Sequence, residues 1–349
     1  MLKGKKILLI APSFFGYEYD IVKKIEELGG DVDYFDERPF ESSFAKIMNR
    51  LDVKFFIRRR IDDYYENVAN CSREKGYDYL LVISPETLEC KTVKKIKENN
   101  PNVKTILYMW DSFKNKNAAD LIPVFDKVFS FDKSDGIEDK RICFLPLFYN
   151  DFFSSQLKQD VADTKYTATF IGTIHSDRAK LAKKILNDIE MKGYKTYSFF
   201  YCPSKLLFVL KKLFTDEFDF LKFKEVSFVS MSKEELKSKV LDSSIIIDIQ
   251  HPKQSGLTMR TIEMFGVGRK LVTTNADVTD YNFFNKDNIL VVDRVAPTIP
   301  QYFIDLPYVK PKKEIHYQYS LASWLSVVLG VEYAGPAHVI GALSLRFSE

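Results

Sequence analysis

The stretch that most constrains this chain is Ile245-Ile246-Ile247-Asp248-Ile249 together with two segments just downstream of it: Gln254-Ser255-Gly256-Leu257-Thr258, then Met259-Arg260-Thr261-Ile262-Glu263-Met264-Phe265-Gly266-Val267. The isoleucine run reads as a buried strand. A polar, glycine-containing turn comes next, then a helix, then a second short strand over 270–274. This is a βαβ unit, which commits its half of the chain to a parallel sheet. The helix start presents unpaired N–H groups, and its dipole favours an anion over residues 255–258. Glu263 lies about two turns further in, so its carboxylate reaches a ribose hydroxyl if phosphates sit on the turn. Diphosphate and ribose together suggest a nucleotide. An ordinary βαβ unit with a solvated Glu263 satisfies the same pattern.

The rest of the chain alternates in the same way. Strands are predicted at 5–10, 32–35, 79–83, 103–110, 127–130 and 142–144, with helices over 19–28, 44–69 and 91–98. Gly29-Gly30 ends the first helix, since glycine accepts the left-handed C-cap. After a polar stretch near 150–164, strands at 168–172, 196–201, 245–249 and 289–292 alternate with helices over 177–192 and 232–241. Such alternation predicts doubly wound parallel sheets, which bind ligands outside the carboxyl ends of their strands. In the first half those ends carry Pro12-Ser13-Phe14-Phe15-Gly16, Ser84-Pro85-Glu86 and Trp110-Asp111-Ser112. A helix over 319–329 is followed by a lysine-free stretch, 330–349, rich in Ala, Gly and Val.

The segment 254–275 resembles the donor-binding segment of GT-B glycosyltransferases. In many of these a Gly-Leu turn precedes a glutamate-bearing helix, and a strand ending in Thr-Thr follows. Here the matching residues are Gly256-Leu257, Glu263 and Leu271-Val272-Thr273-Thr274. The strongest likeness is to bacterial enzymes of surface-polysaccharide and lipopolysaccharide synthesis, including the group near the CgeB-like proteins. The resemblance implies an α/β fold of two Rossmann-like doubly wound domains facing a cleft. It places an acceptor-side domain over 1–155, a nucleotide-sugar donor domain over 165–318, and a C-terminal helix with an atypical tail over 319–349. It puts Glu263 on the donor ribose and the 255–258 turn on the diphosphate. There is one departure: many retaining members carry a Glu-x7-Glu pair, and the residue eight before Glu263 is Ser255. Retention and inversion therefore both stay open.

The second half opens Phe170-Ile171-Gly172-Thr173-Ile174-His175-Ser176-Asp177-Arg178. Gly172 lets a ligand approach the backbone, Ser176 or Asp177 is placed to cap the next helix, and Arg178 offers a forked donor to a diphosphate. By the resemblance, this turn with Gly172, Thr173 and Arg178 stabilises the leaving nucleotide, because negative charge develops there as the glycosidic bond breaks. A capped helix with a surface arginine is the plain alternative. His175 is a candidate to hydrogen-bond the donor, or is simply exposed. Asp111, at a strand's carboxyl end, is a candidate general base for an acceptor hydroxyl, and Glu86 has a similar claim. The expected donor-binding set is completed by Gln254, Ser255, Gly256, Leu257, Thr258 and Arg260. Asn275 and Asp293-Arg294 rank lower.

The apolar run Lys205-Leu206-Leu207-Phe208-Val209-Leu210-Lys211-Lys212-Leu213-Phe214 reads first as a core helix of the second half, and second as a helix lying in a membrane interface. A net charge of +3 argues against a dedicated nucleic-acid binder. The four scattered cysteines make a disulfide framework or zinc site unexpected, with a reducing cytoplasm as the default compartment. No apolar run approaches the ~20 residues of a spanning helix. No GxGxxG follows the first strand, against a dehydrogenase. The expected partners are a nucleotide-sugar donor and a glycan or lipid-linked acceptor, with neither cofactor nor metal. Two alternatives share the scaffold: a non-catalytic nucleotide- or glycan-binding protein, and a nucleotide-sugar epimerase.

Overall fold

The computed structural model describes residues 1–38, 58–116, 118–156, 164–215, 217–251 and 256–332. The chain divides into two compact units. Unit 1 holds Met1–Leu147 and the described residues from Leu321 onward, and unit 2 holds Phe148–Ser320. The division falls before the polar stretch near 150–164. The last helix counts with unit 1 rather than standing apart.

In unit 1, strands β1 (Lys6–Ala11), β2 (Asp31–Asp36), β3 (Tyr79–Ile83), β4 (Lys104–Met109), β5 (Lys127–Ser130) and β6 (Ile142–Phe144) form one parallel sheet in the order β2-β1-β3-β4-β5-β6. The order reverses between β1 and β3. Helices α1 (Tyr17–Glu27), α2 (Arg58–Lys75), α3 (Cys90–Asn99) and α4 (Lys133–Glu138) connect the strands. Of the helix expected over 44–69, residues 44–57 lie outside the described residues, and the described part runs on to Lys75. Alternate strand residues point to opposite faces. Leu8, Ile10, Val82, Leu107 and Met109 pack with Ile61, Tyr65 and Val68 of α2 and with Val93 and Ile96 of α3. Tyr108 points the other way and meets Trp324 edge-on, centroids 4.8 Å apart. Trp324 belongs to the last helix, α12 in chain order (Leu321–Leu329), which covers this face beside α1.

In unit 2, strands β7 (Tyr166–Thr173), β8 (Thr196–Tyr201), β9 (Val226–Ser227), β10 (Ser243–Asp248), β11 (Lys270–Thr273) and β12 (Ile289–Val291) form a second parallel sheet, ordered β12-β11-β10-β7-β8-β9. The chain runs outward from β7 to β9, returns beside β7 as β10, and runs outward the other way. That is the strand order of a dinucleotide-binding Rossmann sheet, with its reversal between β7 and β10. The helices are α5 (Asp151–Gln156), α6 (Arg178–Met191), α7 (Lys205–Phe214), α8 (Lys233–Leu241), α9 (Met259–Val267), α10 (Gln301–Asp305) and α11 (Lys313–Gln318). Ala182, Ile185 and Ile189 of α6 bury against Phe170, Ile245 and Ile247.

The core placement expected for 205–214 does not form. The helix itself does: Ser204 caps α7 by accepting from the Leu207 amide, 3.2 Å away. Of its side chains only Phe208 is buried, while Leu206, Leu213 and Phe214 are 68%, 70% and 78% exposed. A ten-residue helix with seven apolar side chains, of which only Phe208 joins the core, carries more apolar surface than its one contact covers. No helix among the described residues is long and apolar enough to cross a membrane.

Helix α9 is buried from Thr261 to Val267, and Gly266 is where it meets the Tyr149 ring. A Cβ at Gly266 would lie 2.4 Å from Tyr149 Cγ. The Tyr149 hydroxyl lies 2.6 Å from the His316 carbonyl and 3.0 Å from His316 Nδ1, and His316 Nε2 lies 2.9 Å from the Gly266 carbonyl. Both residues are thereby held in place, so the tyrosine cannot swing aside for a methyl group. Gly266→Ala is expected to destabilise the protein by about 1–3 kcal/mol through overpacking, read as a lower denaturant midpoint at unchanged slope. A midpoint equal to the parent's would mean that Tyr149 yields freely.

Candidate functional site

At the reversal of the second sheet, the turn after β7 and the segment after β10 lie side by side. The rings of His175 and His251 stand 5.5 Å apart. Asp248 ends β10 and is 1% exposed. Its Oδ2 accepts from the hydroxyls of Thr258 and of Thr261, the latter at 2.9 Å. Thr258 also caps α9, its Oγ1 accepting from the Thr261 amide at 3.2 Å. The buried carboxylate thus fixes where α9 begins. The turn before it requires a glycine at 256, whose φ of 80° lies in the left-handed region. Asn275, 2% exposed, holds this turn by donating from Nδ2 to the Gly256 carbonyl at 2.8 Å.

Arg178 opens α6 and lies over the Phe170 ring, with Nη2 3.6 Å from Asp248 Oδ1. That separation is an ion pair without a hydrogen bond. Arg178 Nε, Asp248 Oδ1, Gln250 Oε1 and Arg260 Nη1 are all buried with no hydrogen-bond partner among the described residues. Buried polar atoms of native proteins are nearly always paired, so four orphans around one strand end make this place the candidate site for a partner of complementary chemistry. Two of them belong to guanidinium groups. Burial pulls the Arg178 pKa down, Asp248 opposes this, and the charge of Arg260 adds to it. An anion between the two arginines relieves both effects.

A second arginine–carboxylate pair clamps the rim. Arg294 grips Asp177 with two bonds of 2.9 and 3.1 Å, and also donates to Thr274 Oγ1 and to the Gln250 carbonyl. One side chain after β12 therefore ties together the loops that follow β7, β10 and β11. The capping expected of Ser176 or Asp177 is not realised. Asp177 is committed to Arg294, while Ser176 has a φ of 48° and turns its hydroxyl back to the His175 carbonyl at 2.7 Å. Burial lowers the pKa of His175, and the charges of Arg178 and His251 lower it further, so the ring is neutral at pH 7.

In unit 1 the carboxyl ends of β1, β3 and β4 make another candidate surface. Phe14 and Phe15 are 44% and 76% exposed, and the Phe14 ring stands 5.8 Å from that of Trp110. The Trp110 amide donates to Ser84 Oγ at 2.8 Å. Next to Trp110, burial raises the pKa of Asp111, with Lys116 opposing and Glu86 adding, which makes it a stronger base than an ordinary aspartate. Glu86 is paired with Lys116. Beneath them lies Glu37, fully buried, whose Oε1 accepts from the amides of Glu86, Thr87 and Leu88 and fixes their loop. Desolvation outweighs these donors and holds Glu37 at about 7. Phe15, Ser84 and Ser176 are the non-glycine residues with left-handed backbone among the described residues, and each follows a strand end of a candidate site. Such strain persists where surrounding structure enforces it, commonly at functional sites.

No family model matches this sequence, and no curated protein matches it significantly. Solved structures do. A glycosyltransferase from Rickettsia africae is 13% identical, with a TM-score of 0.53, over 93% of this chain and 92% of that one. HepE from Anabaena, solved with UDP and glucose, is 10% identical, with a TM-score of 0.51, over 93% and 95%. The N-terminal domain of trehalose-6-phosphate phosphatase from Candida albicans is 12% identical, with a TM-score of 0.57, over 93% and 96%. The fold is the GT-B fold. At these identities the likeness is one of fold, and it singles out no branch among GT-B proteins.

Of the donor-binding residues expected from the GT-B resemblance, the structure gathers Gly172, Thr173, Arg178, Gly256, Leu257, Thr258 and Arg260 around the β7–β10 reversal, with His175 among them. Gln254 and Ser255 lie outside the described residues. The space over Gly172 is bounded by the Phe170 ring and the Arg178 guanidinium, at 3.0 and 3.5 Å from where a Cβ would stand. That glycine makes room for the arginine rather than for a ligand atom. Leu257 is buried, and Glu263 is 4% exposed within α9. Asp111 stands in unit 1. Sequence reasoning missed Asp248, although a carboxylate inside an isoleucine run was the available signal; it missed Glu37 and ranked Arg294 too low.

The site generates a titration. His175 is expected to titrate below the ordinary 6.5, and Arg178→Gln to move it upward by removing a neighbouring positive charge. Histidine NMR signals followed against pH would read both. A parent value above 6.5, or no movement in the variant, would contradict the placement of Arg178 beside the ring.

Proposed function

We propose that this protein is a glycosyltransferase that moves a sugar from a nucleotide-sugar donor to a bacterial surface glycan or lipid-linked acceptor. The observation that carries the reading is the pair of guanidinium groups, Arg178 and Arg260, with buried unpaired donors at the reversal of a Rossmann sheet and at the start of α9. The chemistry of a diphosphate fits this place, with two forked cations and a capped helix N-terminus. HepE, of the same fold, was solved with UDP and glucose. In this reading the arginines and the amides of α9 take up the charge that develops on the leaving diphosphate. Neutral His175 donates a hydrogen bond to the phosphate or the sugar. Glu263 meets the ribose. Asp111 takes the proton of the acceptor hydroxyl, and Phe14, Phe15 and Trp110 offer ring faces for a sugar to stack on. No step requires a metal.

The second reading, a binding protein without turnover, is favoured by Ser255, which stands where a retaining enzyme's first glutamate would. Turnover separates the two.

The test is a thermal-shift panel of UDP, GDP, CMP, dTDP and ADP, without and then with Mg²⁺. One nucleoside diphosphate is expected to stabilise the protein without metal, by about 2.7 kcal/mol at ~100 times its Kd. Arg178→Ala and Arg260→Ala are each expected to weaken that binding about tenfold or more. No response to any nucleotide would overturn the donor-site assignment. Asp111→Asn is expected to keep nucleotide affinity while lowering sugar transfer about 10²–10⁴-fold. Transfer undiminished in that variant would remove Asp111 from the chemistry, and nucleotide binding with neither transfer nor donor hydrolysis in the parent would leave the binding-protein reading.

A further inference from the structure

Helix α7 presents an apolar face that unit 2 leaves uncovered. At about 100° per residue, Val209, Leu213, Leu206, Leu210, Phe214 and Leu207 follow one another around an arc of roughly 160°. All six are exposed, from 41% for Leu207 and Val209 to 78% for Phe214. The arc is centred opposite Phe208, the one buried side chain of the helix, whose ring stacks on Phe218 at 5.5 Å. Lysines stand at both margins of the arc, Lys205 and Lys212 on one side and Lys211 on the other. Lys211 is paired with Glu217 at 2.7 Å. Lys212 donates to the carbonyls of Leu221, Asp219 and Phe218, and no carboxylate among the described residues pairs with it. Phe223, 53% exposed and edge-on to Phe208 at 5.9 Å, extends the apolar surface. It is flanked by exposed Lys222 and Lys224, and exposed Asp219 offsets one of these charges.

We propose that α7 is a membrane-docking element that lies in the interface of an anionic lipid bilayer, its apolar arc among the acyl chains and its marginal lysines among the headgroups. The length fits: about 15 Å of helix lies flat in an interface and is far too short to span. The charge pattern also selects this occupant. A contact between two protein copies has a core depleted of lysine and carries its polar groups on a self-complementary rim, whereas this arc is bordered by like charges that two copies would bring together. Lysine stems bury along apolar surface while their ammonium groups reach phosphates. Glu217 and Lys211 act electrostatically on His175, so the C-terminal end of α7 lies near the candidate donor site. A lipid surface held there would bring a lipid-linked acceptor to the same molecule. The docking itself does not depend on the transfer reading.

The full chain should be sedimented with vesicles of phosphatidylcholine alone and of phosphatidylcholine with phosphatidylglycerol. The expected result is binding to the anionic vesicles that weakens with added salt, and weaker binding to the neutral ones. The combined variant Leu206→Gln, Leu213→Gln, Phe214→Gln is expected to lose about tenfold or more of the partitioning. The combined variant Lys205→Glu, Lys222→Glu, Lys224→Glu is expected to lose the preference for anionic lipid. Every position changed is exposed, and unchanged unfolding midpoints in both variants would confirm intact folding. Parent protein that stays in the supernatant overturns the proposal, as does a glutamine variant that binds like the parent. A parent dimer, seen by light scattering and dissolved by the glutamine changes without effect on vesicle binding, would make the face a self-association surface and overturn it too. Failure of the nucleotide panel would leave the vesicle result untouched, so the two readings fail separately.

Discussion

Asp248 is a charged group in a place built for isoleucine, and unit 2 depends on it. A carboxylate there is costly unless donors surround it. Two hydroxyls meet one of its oxygens, each a charge-assisted bond of about 1.5–3 kcal/mol, and the other oxygen faces Arg178 beyond hydrogen-bond reach. Since one hydroxyl belongs to the cap of α9 and the arginine opens α6, a single side chain sets the starting points of both helices that flank the sheet reversal. The unsatisfied remainder, a carboxylate oxygen, an amide oxygen and two guanidinium nitrogens, is what makes this place the candidate ligand site. Arg294 acts on the same loops from outside, and frees Asp177 from the capping duty its position invites.

Unit 1 follows a related plan with different chemistry. Glu37 plays a part like that of Asp248: a buried carboxylate just past a strand, gathering the amides of the next loop. What stands on that loop is aromatic and acidic rather than cationic. In the function proposed, the cationic sheet end takes the diphosphate, and the aromatic and acidic one takes the acceptor sugar beside Asp111. The left-handed Phe15, Ser84 and Ser176 show where the backbone has been forced to hold such loops in shape.

Much of this was legible in the sequence. Apolar runs and glycine breaks placed the strands, because strands buried on both faces leave a near-continuous hydrophobic record. The turn over 256–258 was legible because Gly256, Thr258 and the helix behind them form a local unit, and local geometry is written in local residues. The partners of Asp248, Arg294 and Glu37 were not, since they meet across separations of 10 to 117 positions, which no periodicity records. Helix α7 was misplaced for another reason. Composition shows that a segment is apolar, but not whether anything covers it.

The return of α12 to the first sheet bears on how the protein is made. Tyr108, in the middle of that sheet, waits for Trp324, more than two hundred residues later. During synthesis the first unit therefore cannot close its second face until nearly all of unit 2 has emerged, whereas unit 2 is continuous in sequence and needs nothing downstream. The later half can finish before the earlier one, and a nascent chain carries an open apolar sheet face throughout the interval, the state in which chains of this size are most exposed to aggregation.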